Sequence, residues 1–143
     1  KDLDLVNELA GTYGVILALH NHPKPSIYWN PDTVLKGLEG RDNLKACADV
    51  GHWVRSDINP VEALQKLEGK IASLHFKDLN EKSRNAHDVP WGTGISDVAA
   101  MLEELKRQEF EGIFSIEYEY NWDNSLPEIS RSVDYFRSIA KAK

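Results

Sequence analysis

The sequence predicts an α/β fold in which short parallel strands alternate with helices along one domain, residues 1–143. Short apolar runs of strand length alternate with longer segments whose apolar residues recur at helical spacing. Turn residues and helix-start residues separate the two kinds of segment. Strands that are separated by helices pair in parallel, because a right-handed crossover brings the second strand back beside the first.

Helical spacing is found in five segments of the chain. The first covers residues 2–10, where Gly11 and Gly14 end it, and the last covers residues 126–140. Residues that favour the first turn of a helix begin the other three segments. These residues are Asn30-Pro31, Asn59-Pro60, and Ser96 or Asp97.

The four predicted strands share a pattern of side chains. They lie within residues 15–22, 44–53, 70–78 and 112–120. Alternate side chains of a strand share one face. On one face of each strand, a small residue is followed two positions later by a side chain that can bind a metal. These pairs are Ala18 with His20, Cys47 with Asp49, Ser73 with His75, and Ser115 with Glu117.

The carboxyl ends of parallel strands meet at one edge of a sheet, which is where α/β proteins place their functional sites. We therefore expect the four strand-end residues to converge there. Two imidazoles and two carboxylates suit Mn, Co, Zn or Fe(II) better than Ca, which prefers oxygen ligands alone. His22 and Glu119 lie on the same faces as His20 and Glu117 and are alternative ligands.

Two architectures fit this order of elements, an open doubly wound sheet and part of a (β/α)8 barrel. A dinucleotide-binding sheet would carry a glycine-rich turn after its first strand. Asn21-His22-Pro23 stands at that place instead, and the sequence has no Walker A motif. A nucleotide-binding sheet is therefore weakly supported.

Composition argues against two classes of partner. The formal net charge is −6 and the basic residues do not cluster, so no nucleic-acid surface is predicted. No apolar run approaches the roughly 18 residues of a membrane helix. Cys47 is the only cysteine, which excludes an internal disulfide, and its apolar neighbours predict a buried, inert thiol.

Five segments lie in order along the chain, and they are ALHNHP (18–23), ADVGHW (48–53), SLHFKD (73–78), VPWGTG (89–94) and SIEYE (115–119). Together they resemble the sugar phosphate isomerase/epimerase superfamily, the xylose isomerase-like TIM barrels. The resemblance implies that the strands are the fifth to eighth of a barrel, its C-terminal half, because a whole (β/α)8 barrel takes about 250 residues. We therefore expect the chain to need an N-terminal half-barrel or self-association, for example as a homo-oligomer.

The resemblance also implies one divalent metal ion, which is Mn, Co, Zn or Mg, with Mn favoured. Its implied ligands are His20, Asp49, His75 and Glu117. The implied activity is that of a sugar or sugar phosphate isomerase or epimerase. Such an enzyme removes a proton next to a metal-bound carbonyl and passes through an enediolate. A cytoplasmic location is expected.

Three alternatives to this activity stay open. His20 stands where many members of the family carry Glu, so an inosose dehydratase-like or 3-keto-sugar lyase reaction is the first. A non-catalytic sugar-binding domain is the second. An endonuclease of the AP endonuclease type shares this barrel, but the net charge of −6 argues against a DNA substrate.

The resemblance suggests roles for individual residues. Glu117 is the first candidate for the catalytic base, and His20 or His52 would deliver a proton on the other side of the substrate. His52 belongs to an Asp-x-x-His motif whose second residue typically reaches the substrate. Lys77 is a candidate for binding an anionic group of the substrate. Further candidates for substrate contacts are His22, His87, Trp53, Trp91 and Glu119.

Gly92 and Gly94 precede a predicted helix. Backbone amides at such a position can bind a phosphate, so these glycines are a weak candidate for a phosphate cradle.

Overall fold

A four-stranded parallel sheet forms the centre of the protein in the computed structural model, which describes residues 2–141. The order of strands across the sheet is the same as their order along the chain. The strands are β1 (Leu17–His20), β2 (Leu44–Asp49), β3 (Ile71–Phe76) and, after a small hairpin, β6 (Ile113–Ile116). Every neighbouring pair is parallel, which confirms the predicted α/β class.

Helices precede, connect and follow these strands. They are α1 (Asp2–Tyr13), α2 (Pro31–Leu38), α3 (Val50–Val54), α4 (Pro60–Lys66), α5 (Val98–Arg107) and α6 (Leu126–Lys141). The predicted caps of the middle helices are present. Asn30, Asn59 and Asp97 each accept a hydrogen bond from a backbone amide in the first turn of α2, α4 and α5.

Several predicted boundaries differ from the structure, and two of the differences have clear local causes. Helix α1 continues through Gly11 and ends at Tyr13, before Gly14, whose φ of +63° is one that an L side chain rarely adopts. The predicted strand at residues 44–53 ends at Asp49, because the Asp49 carboxylate accepts a hydrogen bond from the His52 amide and starts α3. A five-residue helix is too short to show periodicity in the sequence.

The polar segment between β3 and α5 contains a small antiparallel hairpin. Its strands are β4 (Asp78–Leu79) and β5 (Asp88–Val89). The Asp78 carboxylate accepts hydrogen bonds from four backbone amides. These belong to Leu79, Gly92, Gly94 and Ser96, at 2.9–3.0 Å. Asp78 therefore holds the turn that leads into α5.

The two faces of the sheet have different surroundings. One face packs under the helices, and its core includes Ala46, Leu74 and Phe76. The other face leaves Ile16 and Ile113 exposed to solvent. Since the polar strand-end residues alternate with the helix-covered ones, they lie on the open side. No helix within residues 2–141 has the length and apolar character to cross a membrane.

Candidate metal centre

The four strand-end residues lie along one edge of the sheet. Asp49 and His75 are direct neighbours in the register of β2 and β3. His20 is the last residue of β1 and lies beside Cys47. Glu117 follows β6 directly, and its amide donates to the Phe76 carbonyl at 3.1 Å, which continues the sheet by one bond. Parallel pairing therefore brings the four predicted residues to a common edge.

Their side chains approach one another closely. Asp49 Oδ2 lies 3.7 Å from His20 Nε2, and His75 Nδ1 lies 2.6 Å from Glu117 Oε2. The His20 and His75 rings are 4.7 Å apart. One ligand atom each from Asp49, His75 and Glu117 lies within 4.8 Å of the other two, a spacing that a single metal ion can bridge.

One side-chain atom of each strand-end residue is shielded from solvent and has no hydrogen bond of good geometry within residues 2–141, although two of these atoms face each other at 2.6 Å. The four atoms are His20 Nε2, Asp49 Oδ2, His75 Nδ1 and Glu117 Oε2. Buried polar atoms are nearly always paired, so four orphaned atoms in one cluster need an explanation. Nitrogen and oxygen atoms that converge without hydrogen bonds form a suitable donor set for a divalent transition metal.

Asn21 fixes the backbone of Asp49, and the sequence analysis missed it. Its Oδ1 accepts from the Asp49 amide at 2.7 Å, and its Nδ2 donates to the Asp49 carbonyl at 2.9 Å. Asn21 is fully buried. This pair of bonds ties the end of β2 to the residue after β1, so it sets the position of Asp49 relative to His20. No local pattern indicates such a contact between residues 28 positions apart.

The two carboxylate oxygens of Asp49 have different roles, one in capping a helix and the other in the candidate metal centre. Oδ1 caps α3, whereas Oδ2 faces His20, His52 and Lys77 at 3.4–3.7 Å. Burial alone would raise the pKa of the Asp49 carboxyl, but these three neighbours outweigh burial and hold its pKa well below the usual range. Asp49 is therefore ionised, as a metal ligand must be.

Lys77 lies among carboxylates and does not reach solvent. Its side chain is 0% exposed, and Nζ lies 3.4 Å from both Asp49 and Glu117 and in contact with Glu119. Burial would lower the pKa of Lys77, but the three carboxylates together raise it. The binding of an anionic substrate group by Lys77 stays a prediction, and the ammonium already compensates three negative charges.

His52 faces the same cluster from α3. Its Nε2 lies 3.4 Å from Asp49 Oδ2, and its ring lies 4.5 Å from the exposed His22 ring. Burial lowers the pKa of His52 to about 4; Asp49 opposes this change, and the positive charges of Lys77, His22 and Arg55 add to it. His52 is therefore neutral near pH 7.

The remaining predicted contacts lie at different distances from the cluster. Glu119 is partly exposed beside Lys77, and the pairing with Lys77 lowers its pKa. His87 lies in the loop before β5 and stacks on Tyr120 at 4.2 Å. No contact joins His87 to the four strand-end residues among the interactions described for residues 2–141.

Trp53 and Trp91 are not open to a sugar. Both rings lie in the hydrophobic core beneath the sheet, and Trp91 packs against Phe76 at 5.2 Å. This burial does not support the prediction that they contact the substrate. Both residues follow a strand end, but α3 and the turn before α5 direct their rings into the core.

The amides of Gly92 and Gly94 both donate to Asp78 Oδ2 at 2.9 Å. The two amides that were suggested to bind a phosphate therefore already donate to a carboxylate of the protein itself. Asp78 belongs to the SLHFKD segment of the sequence. Its two glycine partners lie 14 or more residues away, so the sequence does not show that they meet.

Comparison with known proteins identifies relatives of this arrangement. The family model of the xylose isomerase-like TIM barrel matches residues 1–139. An inosose dehydratase of Clostridium botulinum (strain Alaska E43 / Type E3) is 27% identical over 150 residues, which cover 93% of this chain and 48% of that protein. The chain spans about half the length of the curated relatives it matches.

Solved structures show the same fold. A D-tagatose 3-epimerase-like protein superposes with a TM-score of 0.82 at 24% identity, over 98% of this chain and 52% of that one. An IolI protein with a bound zinc atom superposes with a TM-score of 0.75, also at 24% identity, over 96% of this chain and 54% of that one. At these identities the likeness shows the fold alone.

Proposed function

Because the chain belongs to the xylose isomerase-like TIM barrel family, we propose that it carries the metal centre of a sugar isomerase or epimerase. The observation that carries this proposal is that four neighbouring strand ends of the sheet each place a solvent-shielded ligand atom in one cluster. Ligand atoms of Asp49, His75 and Glu117 lie within 4.8 Å of one another, and His20 Nε2 lies 3.7 Å from Asp49 Oδ2. His20, Asp49, His75 and Glu117 would hold one divalent ion, with Mn favoured among Mn, Co, Zn and Mg. The relatives support a sugar-like substrate, and this substrate would be either a sugar phosphate or an unphosphorylated sugar.

A bound divalent ion would supply Lewis-acid polarisation of the substrate carbonyl. Glu117 would take the proton from the carbon next to that carbonyl, because it is the one half-exposed carboxylate among the four residues. Its Oε1 lies 3.4 Å from Lys77 Nζ, which keeps the carboxylate oriented. His20, whose side chain is 31% exposed, would return a proton on the other side.

A dehydratase reaction is the second candidate, and two observations favour it. The curated relatives are inosose dehydratases. His20 supplies an imidazole where a two-carboxylate epimerase would carry Glu. The first step is the same proton abstraction by Glu117, but the second is loss of a hydroxide from the neighbouring carbon as water, for which His20 would supply the proton.

Incubation of candidate sugars in D2O separates these activities. An isomerase or epimerase incorporates deuterium next to the carbonyl and conserves the mass of the unlabelled product, whereas a dehydratase releases a product lighter by one water. NMR spectra of ketoses, aldoses, inososes and 3-keto sugars would identify the class. Sugar binding without deuterium incorporation or water loss would contradict both catalytic proposals and support the non-catalytic sugar-binding domain.

One face of the sheet is open to solvent, which indicates that further strands complete the active site. Ile16 and Ile113 are exposed on that face, although apolar side chains inside a barrel are normally buried. We propose that these four strands are the C-terminal half of a TIM barrel and that four further strands cover this face. An N-terminal half-barrel or a second copy of the chain would provide them.

A further inference from the structure

Arg55 is a half-buried cation beside the candidate metal centre. It follows α3 directly, and its side chain is 12% exposed. Its Nη1 lies 3.3 Å from Nδ1 of His52. Its Nε and Nη2 both donate to the Ala86 carbonyl, at 3.3 and 3.2 Å, and Nη2 lies 3.6 Å from Asp88 Oδ1. The guanidinium is therefore held between His52 and the loop that leads into β5.

The direction of the contact with Arg55 determines where His52 carries its proton. A guanidinium group has five N–H donors and no acceptor. His52 Nδ1 must therefore present its lone pair, and the neutral imidazole must carry its proton on Nε2. A doubly protonated ring would point an N–H at the guanidinium and lose this bond. Nε2 is the atom that faces the site, 3.4 Å from Asp49 Oδ2.

Asp88, which contacts Arg55, also contacts the edge of the sheet that carries the candidate metal centre. Asp88 is 2% exposed, and its Oδ2 accepts a hydrogen bond from the Glu119 amide at 2.6 Å. Asp88 thus connects the segment after β6, which carries Glu117, with the guanidinium. The position of Arg55 is fixed by contacts that lie 31 residues away in the sequence, so no motif in the Asp-x-x-His segment predicts it.

We propose that Arg55 is a positioning residue that holds His52 in the Nε2–H tautomer, so that His52 donates a hydrogen bond to a substrate oxygen and does not take a proton. The part of this proposal that concerns substrate rests on the proposed function. A neutral imidazole can polarise a carbonyl or stabilise a developing oxyanion by donating from a fixed N–H. Movement of the carbon-bound proton then falls to Glu117 and His20, which removes His52 from the candidate acid–base pair.

The tautomer can be measured without any activity. Two-bond ¹H–¹⁵N NMR correlations distinguish a protonated from an unprotonated ring nitrogen, and His52→Gln identifies the signals of His52 among the five histidines. The full chain would be recorded near pH 7, without added metal and with Zn²⁺, which is diamagnetic. We expect a protonated Nε2 and an unprotonated Nδ1 in both samples. A protonated Nδ1 in either sample would overturn the proposal.

Variants test the part played by Arg55. Arg55→Met keeps the length of the side chain but cannot donate, so a substantial fraction of the Nδ1–H tautomer or of the imidazolium should be seen. Arg55→Lys still presents only donors, so it should restore the Nε2–H form. Arg84→Met changes an exposed arginine of the following loop and is the control. An Arg55→Met spectrum identical to that of the wild type would overturn the role of Arg55.

Kinetics would connect the tautomer to the reaction. Once a substrate is known, Arg55→Met should lower kcat by about 10- to 100-fold, the usual effect of losing one positioned donor or proton-transfer group. Arg55→Lys should recover most of that loss. An unchanged kcat in Arg55→Met would contradict the donor role of His52. If no substrate turns over in D2O, the proposed function fails, while the NMR result still decides the tautomer.

Discussion

Asp49 combines three functions in one side chain. Its backbone closes the pairing with β3, its Oδ1 begins α3, and its Oδ2 faces the candidate metal centre. The cap requires only a hydrogen-bond acceptor, whereas a divalent ion also requires a negative charge. The two requirements can therefore be separated by substitution.

Asp49→Asn should keep the fold and lose metal affinity, because the amide oxygen still caps α3 but the charge is gone. Asp49→Ala should lose both and cost about 1 kcal/mol more in unfolding free energy, the usual value of a helix N-cap. Calorimetric titration with Mn²⁺ and urea unfolding measure the two effects. Wild-type affinity for Mn²⁺ in Asp49→Asn would contradict the assignment of Asp49 as a ligand.

His52 should make stability depend on pH. Its pKa is about 4 in the folded protein and about 6.5 when unfolded, so the unfolded chain takes up the proton first as pH falls. Stability is therefore lost between about pH 6.5 and pH 4, and amounts to about 2 kcal/mol between pH 7 and pH 5. The metal-free wild type should show this loss in urea unfolding and His52→Gln should not. Equal losses of unfolding free energy in the wild type and in His52→Gln would contradict the lowered pKa of His52.

The convergence of the strand-end residues could be predicted because their positions follow a local rule. Parallel strands share an edge and side chains alternate, so four residues at equivalent positions must lie together. Asn21, Arg55 and Asp88 could not be predicted, because each acts through contacts 28 or 31 residues away. The burial of Lys77 among carboxylates could not be predicted either, since a sequence does not show which side chains surround a lysine.

The turn between β5 and α5 depends on one carboxylate. The Asp78 carboxylate accepts hydrogen bonds from four backbone amides of this segment. The hairpin strands β4 and β5 have two residues each, too few to give a periodic signal, so this part of the fold could not be predicted from the sequence. The longer helices and the central strands could be predicted, since their caps and periodicity are local.

Asp78→Ala should destabilise the protein by about 2–4 kcal/mol, because it leaves several buried amides without an acceptor. Asp123→Ala, at an exposed acidic residue of the short 3-10 helix Trp122–Asn124, is the matched control and should change stability by less than about 0.5 kcal/mol. Urea unfolding of both variants measures the difference. A loss below about 1 kcal/mol in Asp78→Ala would show that the turn is held by other contacts.

The molecule as described leaves one sheet face without a cover. Helices cover the other face, as in a barrel wall, and the candidate ligands lie at the rim of the open side. A metal centre at this edge would be shielded from bulk water only when further strands close the structure. The sequence predicted this arrangement through the number of strands, not through any single motif.

Self-association should depend on the open face if a second copy provides the cover. Ile113 on that face and Ile27 in the loop after β1 are both 75% exposed, so they form a matched pair. Sedimentation should show an associating chain that Ile113→Lys makes monomeric and Ile27→Lys leaves unchanged. A wild-type chain that is monomeric at all concentrations would contradict self-association and favour an N-terminal half-barrel as the cover.

Metal content tests the central claim most directly. The claim is that His20, Asp49, His75 and Glu117 together bind one divalent ion. Elemental analysis of the purified protein should find about one divalent ion per site in the wild type and in His87→Ala, whose histidine lies outside the cluster. His75→Ala should contain almost none. Full retention of the ion in His75→Ala would contradict the metal centre described above.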